Sequence, residues 1–199
     1  MQIRKVLIVD NNDSFVYNLV EMLRGKIEAD VVCESDLYDG IERGYHGILL
    51  SPGGGVPSEY PHMMDLIGRC WNSHVLLGVC LGHQAIAAYA GGEVRQLEAP
   101  LHGFKSRLSI LIPDDSLLHG ISEQYGADCF IGRYHSWVVE AASVESSFYI
   151  TGVDESHNVM AMSHKSHPIF GVQFHPESII SNCGERLISN FISRINSSQ

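Results

Sequence analysis

The sequence has little positive charge: 13 lysines and arginines stand against 23 aspartates and glutamates, a formal net charge of −10. Surfaces that bind phosphate backbones need the opposite balance, so nucleic acid is not an expected partner. No run of 18 uninterrupted apolar residues occurs, which argues against a membrane span and a membrane partner. No leader pattern opens the chain either, because Ile3-Arg4-Lys5-Val6-Leu7-Ile8-Val9 passes straight into a strand pattern. The cysteines (Cys33, Cys70, Cys80, Cys129 and Cys183) are odd in number and widely spaced, with no C-x-x-C pair. That argues against a disulfide framework or a zinc ribbon and for a reducing, cytoplasmic setting. His164 and His167 flank Lys165-Ser166 in a turn pattern, and are expected to be solvated loop residues and not metal ligands. No repeat, low-complexity tract or linker divides the chain. Its 199 residues, 45% hydrophobic and 18% charged, are read as one globular domain spanning 1–199.

What the sequence does contain is concentrated around Gly78-Val79-Cys80-Leu81-Gly82-His83-Gln84. The apolar run Val75-Leu76-Leu77 ahead of it reads as a buried strand. Behind it, Ala85-Ile86-Ala87-Ala88-Tyr89-Ala90 reads as a helix closed by Gly91-Gly92. Cys80 therefore sits on a strand-to-helix turn, flanked two residues away on each side by glycine. This is the pattern of a nucleophile elbow, ordinarily built on serine. Glycines are needed where the backbone doubles back. The free N–H groups and the dipole of a helix start favour a thiolate.

Along the chain, strand and helix signals alternate. Val6–Val9 is apolar throughout and mostly β-branched, as inside a parallel sheet covered on both faces. Asp10–Ser14 is a polar cluster suited to a helix start, and Phe15, Leu19, Met22 and Leu23 follow at helical spacing until Gly25. Ala29–Cys33 and Gly47–Leu50 are further strands. Met63, Met64, Ile67 and Trp71 mark a helix that leads into the strand before Cys80. The alternation predicts an α/β fold with a doubly wound, mostly parallel sheet. Beyond Gly92 the pattern is mixed, with strands over Ser106–Ile112 and Ser147–Thr151, a turn at Pro113-Asp114-Asp115, and a helix carrying Leu187, Ile188, Phe191, Ile192 and Ile195. A small antiparallel region is expected there.

Two stretches complement the elbow. Ser51-Pro52-Gly53-Gly54-Gly55-Val56-Pro57 holds two prolines and three glycines and is read as irregular, presenting glycine N–H groups at the carboxyl end of a strand. Ile169–Glu177 reads as a buried strand ending at His175-Pro176-Glu177. In extended chain, residues i and i+2 share a side, which would lay the Glu177 carboxylate beside the His175 ring and set its tautomer. Cys80, His175 and Glu177 then make a nucleophile, a base and an orienter.

Together these segments resemble the class I (triad) glutamine amidotransferases, whose fold is a flavodoxin-like α/β sheet. Asp13-Ser14-Phe15 with Tyr17-Asn18-Leu19, Arg133-Tyr134-His135-Ser136 and Glu177-Ser178-Ile179 are similar to the glutaminase subunit (component II) of anthranilate and aminodeoxychorismate synthases. The resemblance covers essentially the whole chain. It implies that L-glutamine is the substrate, with Cys80, His175 and Glu177 catalytic. The oxyanion would be held by the N–H of Leu81 and by the glycine loop Gly53, Gly54 and Gly55. Gln84, Ser136 and Trp137 would contact the rest of the glutamine, the last two through backbone atoms. The chain itself would need no cofactor and no metal, Mg2+ being expected only in the partner. That partner, on a separate polypeptide in a hetero-oligomer, would be a chorismate-using synthase subunit (component I). Three departures stand out: Gly54 replaces a proline, His102-Gly103-Phe104-Lys105-Ser106 has an unusual Phe104, and Trp137 stands where leucine is usual.

Overall fold

The first strand shows how the core is divided. Along Lys5–Asn11 (β1), Val6 and Ile8 enter one apolar layer while Leu7 and Val9 enter the other. Successive side chains of a strand point to opposite faces, so an unbroken apolar run requires cover on both. The computed structural model describes residues 4–198. Ile3, at which the first strand pattern opens, lies outside the described residues.

From β1 the chain continues through α1 (Val16–Leu23), β2 (Glu28–Cys33), β3 (Gly47–Gly53), α2 (Pro61–Cys70), β4 (Val75–Val79) and α3 (Leu81–Tyr89). Then come β5 (Val94–Gln96), β6 (Phe104–Arg107), β7 (Ser109–Ile110), α4 (Ile121–Tyr125), β8 (Phe130–Arg133) and β9 (Trp137–Val139). The remainder is α5 (Ala141–Val144), β10 (Phe148–Val153), β11 (Val159–His164), β12 (Ile169–Val172) and α6 (Gly184–Ser197). The main sheet has the order β2-β1-β3-β4-β12-β11-β10-β7. From β2 to β12 all neighbours are parallel. The last three strands join antiparallel. Two small antiparallel ribbons, β5–β9 and β6–β8, stand apart.

Helices cover both faces, as a doubly wound sheet requires. Leu19 and Leu23 of α1 and Leu187, Ile188 and Phe191 of α6 pack on the layer of Val6, Ile8 and Leu77. Met63, Leu66 and Ile67 of α2 and Ala85 and Ile86 of α3 pack on Leu7, Val9, Ile48 and Leu76. Each fully buried aliphatic side chain of this kind contributes about 1.5–3 kcal/mol. Helix ends follow the glycines. Gly91, at φ 85°, donates to the Ala88 carbonyl and Gly92 to that of Ala87, which closes α3 with the paired bonds of a Schellman-type stop.

Four expectations are corrected. The segment read as irregular from Ser51 continues β3 as far as Gly53, in register with Asn11. Pro52 is tolerated because side chains replace ladder bonds at a register shift: the Asn11 N–H donates to Ser51 Oγ and Asn11 Nδ2 to the Ser51 carbonyl. The strand expected over Ser106–Ile112 is split at buried Leu108 and serves two sheets, β6 pairing with β8 and β7 with β10. The last strand stops at Val172, short of the His-Pro-Glu segment. Finally, His164 and His167 are half-buried, not solvated. His164 closes β11, meets the rings of Trp71 and Phe148 edge-on, and accepts the Ser166 and His167 N–H groups at Nδ1.

The parallel strands β3, β4 and β12 bring their carboxyl ends to one edge of the sheet, the side on which open α/β sheets bind ligands. There β4 turns into α3 within a single residue. A Cβ on Gly78 would lie 2.3 Å from the Gly82 carbonyl oxygen, and one on Gly82 would lie 2.4 Å from that of Leu50. Both obstacles are backbone and cannot swing aside. Gly82→Ala is therefore expected to destabilise the fold by about 1–3 kcal/mol, lowering the thermal midpoint by several degrees. Gly44→Ala, which meets nothing within 4 Å, should stay within about 0.5 kcal/mol of the parent. Thermal unfolding of the two variants checks this.

Candidate active site

Cys80 occupies the tip of the β4–α3 turn at φ 52°, ψ −101°. Positive φ is costly for a residue with a Cβ, on the order of 1–3 kcal/mol. It is held there by the Cys80 N–H to the Val172 carbonyl at 2.8 Å and by the close glycine packing on either side. The first helical ladder bond of α3 runs from the Gln84 N–H to the Cys80 carbonyl. The N–H groups of Leu81, Gly82 and His83 therefore have no ladder acceptor, as at any helix start.

His175 and Glu177 come together as the sequence predicts, but by a different route. The backbone is not extended there. His175 pairs with Gly132 across an isolated bridge, and the chain then turns, the Ser178 N–H donating to the His175 carbonyl at 3.2 Å. Pro176 and Glu177 fill the centre of that turn, where the fixed φ of proline is favourable. The turn returns the Glu177 carboxylate to His175 Nδ1 at 2.6 Å, with both side chains essentially buried. Burial opposes a charged imidazole. The Cys80 sulfur and the Glu177 carboxylate outweigh it, and the pKa of His175 is pushed up to about 10. Nε2 is buried with no closed hydrogen bond of its own. The rings of Phe15 and Tyr134 stand edge-on to the imidazole, at 5.4 and 4.9 Å between centroids, and shield it from water.

In front of Cys80 lies a cleft of about 170 Å³ lined by Gly53, Gly54, Gly55, Gln84, His102, Tyr134, His135, Ser136 and Trp137. It is small beside the roughly 300–1,000 Å³ of drug-sized pockets, a size suited to an amino acid. Of the residues singled out from the sequence, the three loop glycines, Cys80, Gln84, Ser136 and Trp137 line it, while His175, Glu177 and Leu81 do not. Gly53 is tightly placed: a Cβ there would lie 2.5 Å from the Leu81 side chain. The Gly54 carbonyl accepts from the Tyr60 hydroxyl at 3.0 Å, which ties down the loop from outside. The Trp137 carbonyl accepts from Gln84 Nε2 and from His135 Nδ1. A larger cleft of about 610 Å³, lined in part by Leu97, Phe104, Ser106 and Arg133, contains neither Cys80 nor His175. Among the described residues no group of three or more His, Cys, Asp or Glu could hold a metal ion. None of the described helices is long and apolar enough to cross a membrane.

Sequence reasoning assigned no role to several groups found here. Phe15 and Tyr134 were noticed only as parts of motifs, and ring contacts across the fold leave no mark in local spacing. His102 and His135 line the cleft from loops. Gln173 is fully buried with Nε2 3.6 Å from Cys80 Sγ. One polar residue inside the apolar stretch Val172-Gln173-Phe174 was the available signal for it, since buried amides need partners.

Comparison with known proteins bears on the family and the fold. Residues 7–195 match the family described as glutamine amidotransferase class-I. Anthranilate synthase component 2 of Mycobacterium tuberculosis is 38% identical over 194 residues, covering 94% of this chain and 81% of the relative. Its counterpart in Azospirillum brasilense is 38% identical over 192 residues, 94% of each chain. The crystal structure of a glutamine amidotransferase from Thermotoga maritima superposes with a TM-score of 0.75 over the full length of both chains at 12% identity, which speaks to the fold alone. With a cysteine elbow, a buried histidine–glutamate pair and a family match across nearly its whole length, this chain belongs to the class I glutamine amidotransferases.

Proposed function

We propose that the chain is the glutamine-hydrolysing subunit of a chorismate-using synthase that makes anthranilate, and that Cys80, His175 and Glu177 carry the hydrolysis. The observation that bears most weight is the buried His175 ring, held by Glu177 at 2.6 Å, on the chain that the Cys80 N–H ties to the elbow through the Val172 carbonyl. The names of the similar component 2 proteins support the acceptor.

In this reading glutamine enters the 170 Å³ cleft with its side-chain amide over Cys80. The thiolate attacks the amide carbon. The oxyanion is received by the N–H of Leu81 and by the Gly53–Gly55 loop, each donor accounting for about 10²–10³ in turnover. The His175 imidazolium gives its proton to the departing nitrogen, ammonia leaves, and a γ-glutamyl thioester remains on Cys80. His175, now neutral, takes a proton from water, whose oxygen attacks the thioester; glutamate leaves and Cys80 is restored. Glu177 keeps the ring oriented through both steps. Gln84 and the backbone of Ser136 and Trp137 hold the amino-acid end of the substrate. Ammonia passes to the partner subunit without crossing bulk water, where protonation would quench it as a nucleophile. Any Mg2+ requirement lies in that partner.

Cys80→Ser is expected to abolish glutamine-dependent product formation in the assembled synthase and to leave synthesis from added ammonium salts intact; loss of both would sink the division of labour. The product, resolved chromatographically, should be anthranilate, and 4-amino-4-deoxychorismate in its place would reassign the acceptor. A glutamine-like chloroketone should label Cys80, and treating the chain with a chelator should leave the labelling rate unchanged.

The charge on His175 gives a pH signature. Its folded-state pKa is raised, so its interactions with the Cys80 sulfur and the Glu177 carboxylate stabilise the fold fully below the unfolded value of 6.5, and that contribution is lost as pH rises toward about 10. Stability measured by denaturant unfolding should thus fall between neutral pH and pH 10. Glu177→Gln should flatten that fall, bring the His175 NMR titration to lower pH, and reduce turnover on the order of 10²-fold or more.

A further inference from the structure

Gln173 is fully buried two residues before His175, and no step above uses it. Its side-chain nitrogen, as placed, lies 3.6 Å from Cys80 Sγ. A primary amide can offer either a donor or an acceptor to that sulfur, and the two ends have opposite effects on a thiolate. Its neighbours decide which end is offered.

The Trp137 carbonyl can only accept hydrogen bonds. The Gln84 group 2.9 Å from it must therefore be the NH2, and that same NH2 lies 3.1 Å from the Gln173 amide. Two NH2 groups cannot face each other, so Gln173 turns its oxygen to Gln84 and its own NH2 to the sulfur. The Trp137 carbonyl is in turn held from the other side. The Arg133 guanidinium only donates, and its Nε is 3.1 Å from His135 Nε2, which leaves that nitrogen bare and places the ring proton on Nδ1, 3.0 Å from the Trp137 carbonyl. Burial, with the Arg133 charge, lowers the pKa of His135 to about 3, so this tautomer persists across the working range. Arg133 is itself anchored by the buried Asp154 carboxylate and by Ser106.

We propose that Gln173 is a further catalytic residue, donating its side-chain N–H to the Cys80 sulfur and so favouring the thiolate, with Gln84, the Trp137 carbonyl, His135 and Arg133 as the positioning chain that keeps the donor end turned inward. Hydrogen bonds to a charged acceptor are stronger than those to a neutral one, so the bond strengthens when the thiol ionises. The proposal rests on Cys80 being the nucleophile of the hydrolysis described above.

The test is the rate at which iodoacetamide alkylates Cys80 in the full chain, followed by peptide mass spectrometry. Gln173→Met keeps the length of the side chain and loses the N–H. Gln173→Glu keeps its shape and puts an oxygen where the donor was. Alkylation at pH 7 is expected to slow by about tenfold in the methionine variant and further in the glutamate variant. A packing role alone gives the reverse order, because glutamate is the closer isostere; that order, or parent-like rates, would overturn the proposal. If one variant does not fold, the other is judged against the parent. In the parent itself the side-chain 15N–1H signals of Gln173 should shift when Cys80 is alkylated, and unmoved signals would equally overturn it. No glutamine enters these measurements, so a failure here leaves the hydrolytic function standing, and a failure of that function leaves this result readable.

Discussion

The structure depends on one constraint, the single-residue reversal between β4 and α3. The strand is buried on both faces, the helix packs across Leu50, and Cys80 alone absorbs the change of direction at φ 52°. Gly78 and Gly82 leave no room for a Cβ on either side of it. A cysteine on a flexible loop could reach the same place, but would spend part of its time elsewhere. Here the sheet and helix hold the sulfur in register with β12, since the Cys80 N–H is bonded to the Val172 carbonyl at the point where the chain leaves that strand for His175. The two halves of the site are thus joined by a backbone bond before any side chain meets.

Three buried histidines surround this point and have opposite fates. His83 and His135 are both held neutral, each with a pKa lowered to about 3: His83 by burial alone against Gly171, His135 by burial together with the Arg133 charge. His175 is as well buried, yet its pKa is pushed up to about 10 because a thiol and a carboxylate face it. Desolvation lowers all three, and only at His175 do a facing sulfur and carboxylate reverse it. The one imidazole of the three that favours its protonated form is thereby set apart from two that stay neutral. The same low-polarity surroundings make each hydrogen bond in the seam of Gln84, Gln173 and the Trp137 carbonyl stronger, and each missing partner more costly.

The departures noted in the sequence fall in different places. Gly54 loses the stiffness of proline, and its carbonyl is instead tethered by Tyr60. Phe104 is more than half exposed on β6, away from the sulfur, where it lines the larger cleft. Trp137 contributes its carbonyl to the buried seam, which any residue could do; nothing in the structure explains the size of its side chain.

Much of this was legible in the sequence because it is local. Strand β1, the helix that follows it, the elbow and its flanking glycines, and the amphipathic α6 are each set by periodicity and by stereochemistry within a few residues. Of the residues lining the cleft, the loop glycines, Gln84, Ser136 and Trp137 were recognisable as such from a family resemblance, whereas His102, Tyr134 and His135 were not. Other features depended on partners far along the chain. Pro52 remains in a strand only because Asn11 and Ser51 supply the missing bonds, and Leu108 divides one apolar run between two sheets. The Glu177 carboxylate reaches His175 through a turn and not through extended chain. Local residues alone specify which groups are on hand: a thiol on an elbow, an imidazole and a carboxylate, all within an α/β chain. The proton on His175 and the orientation of the amides beside it came from the folded chain, because burial and the neighbours across the sheet set the energy of a charge, and neither is a property of local sequence.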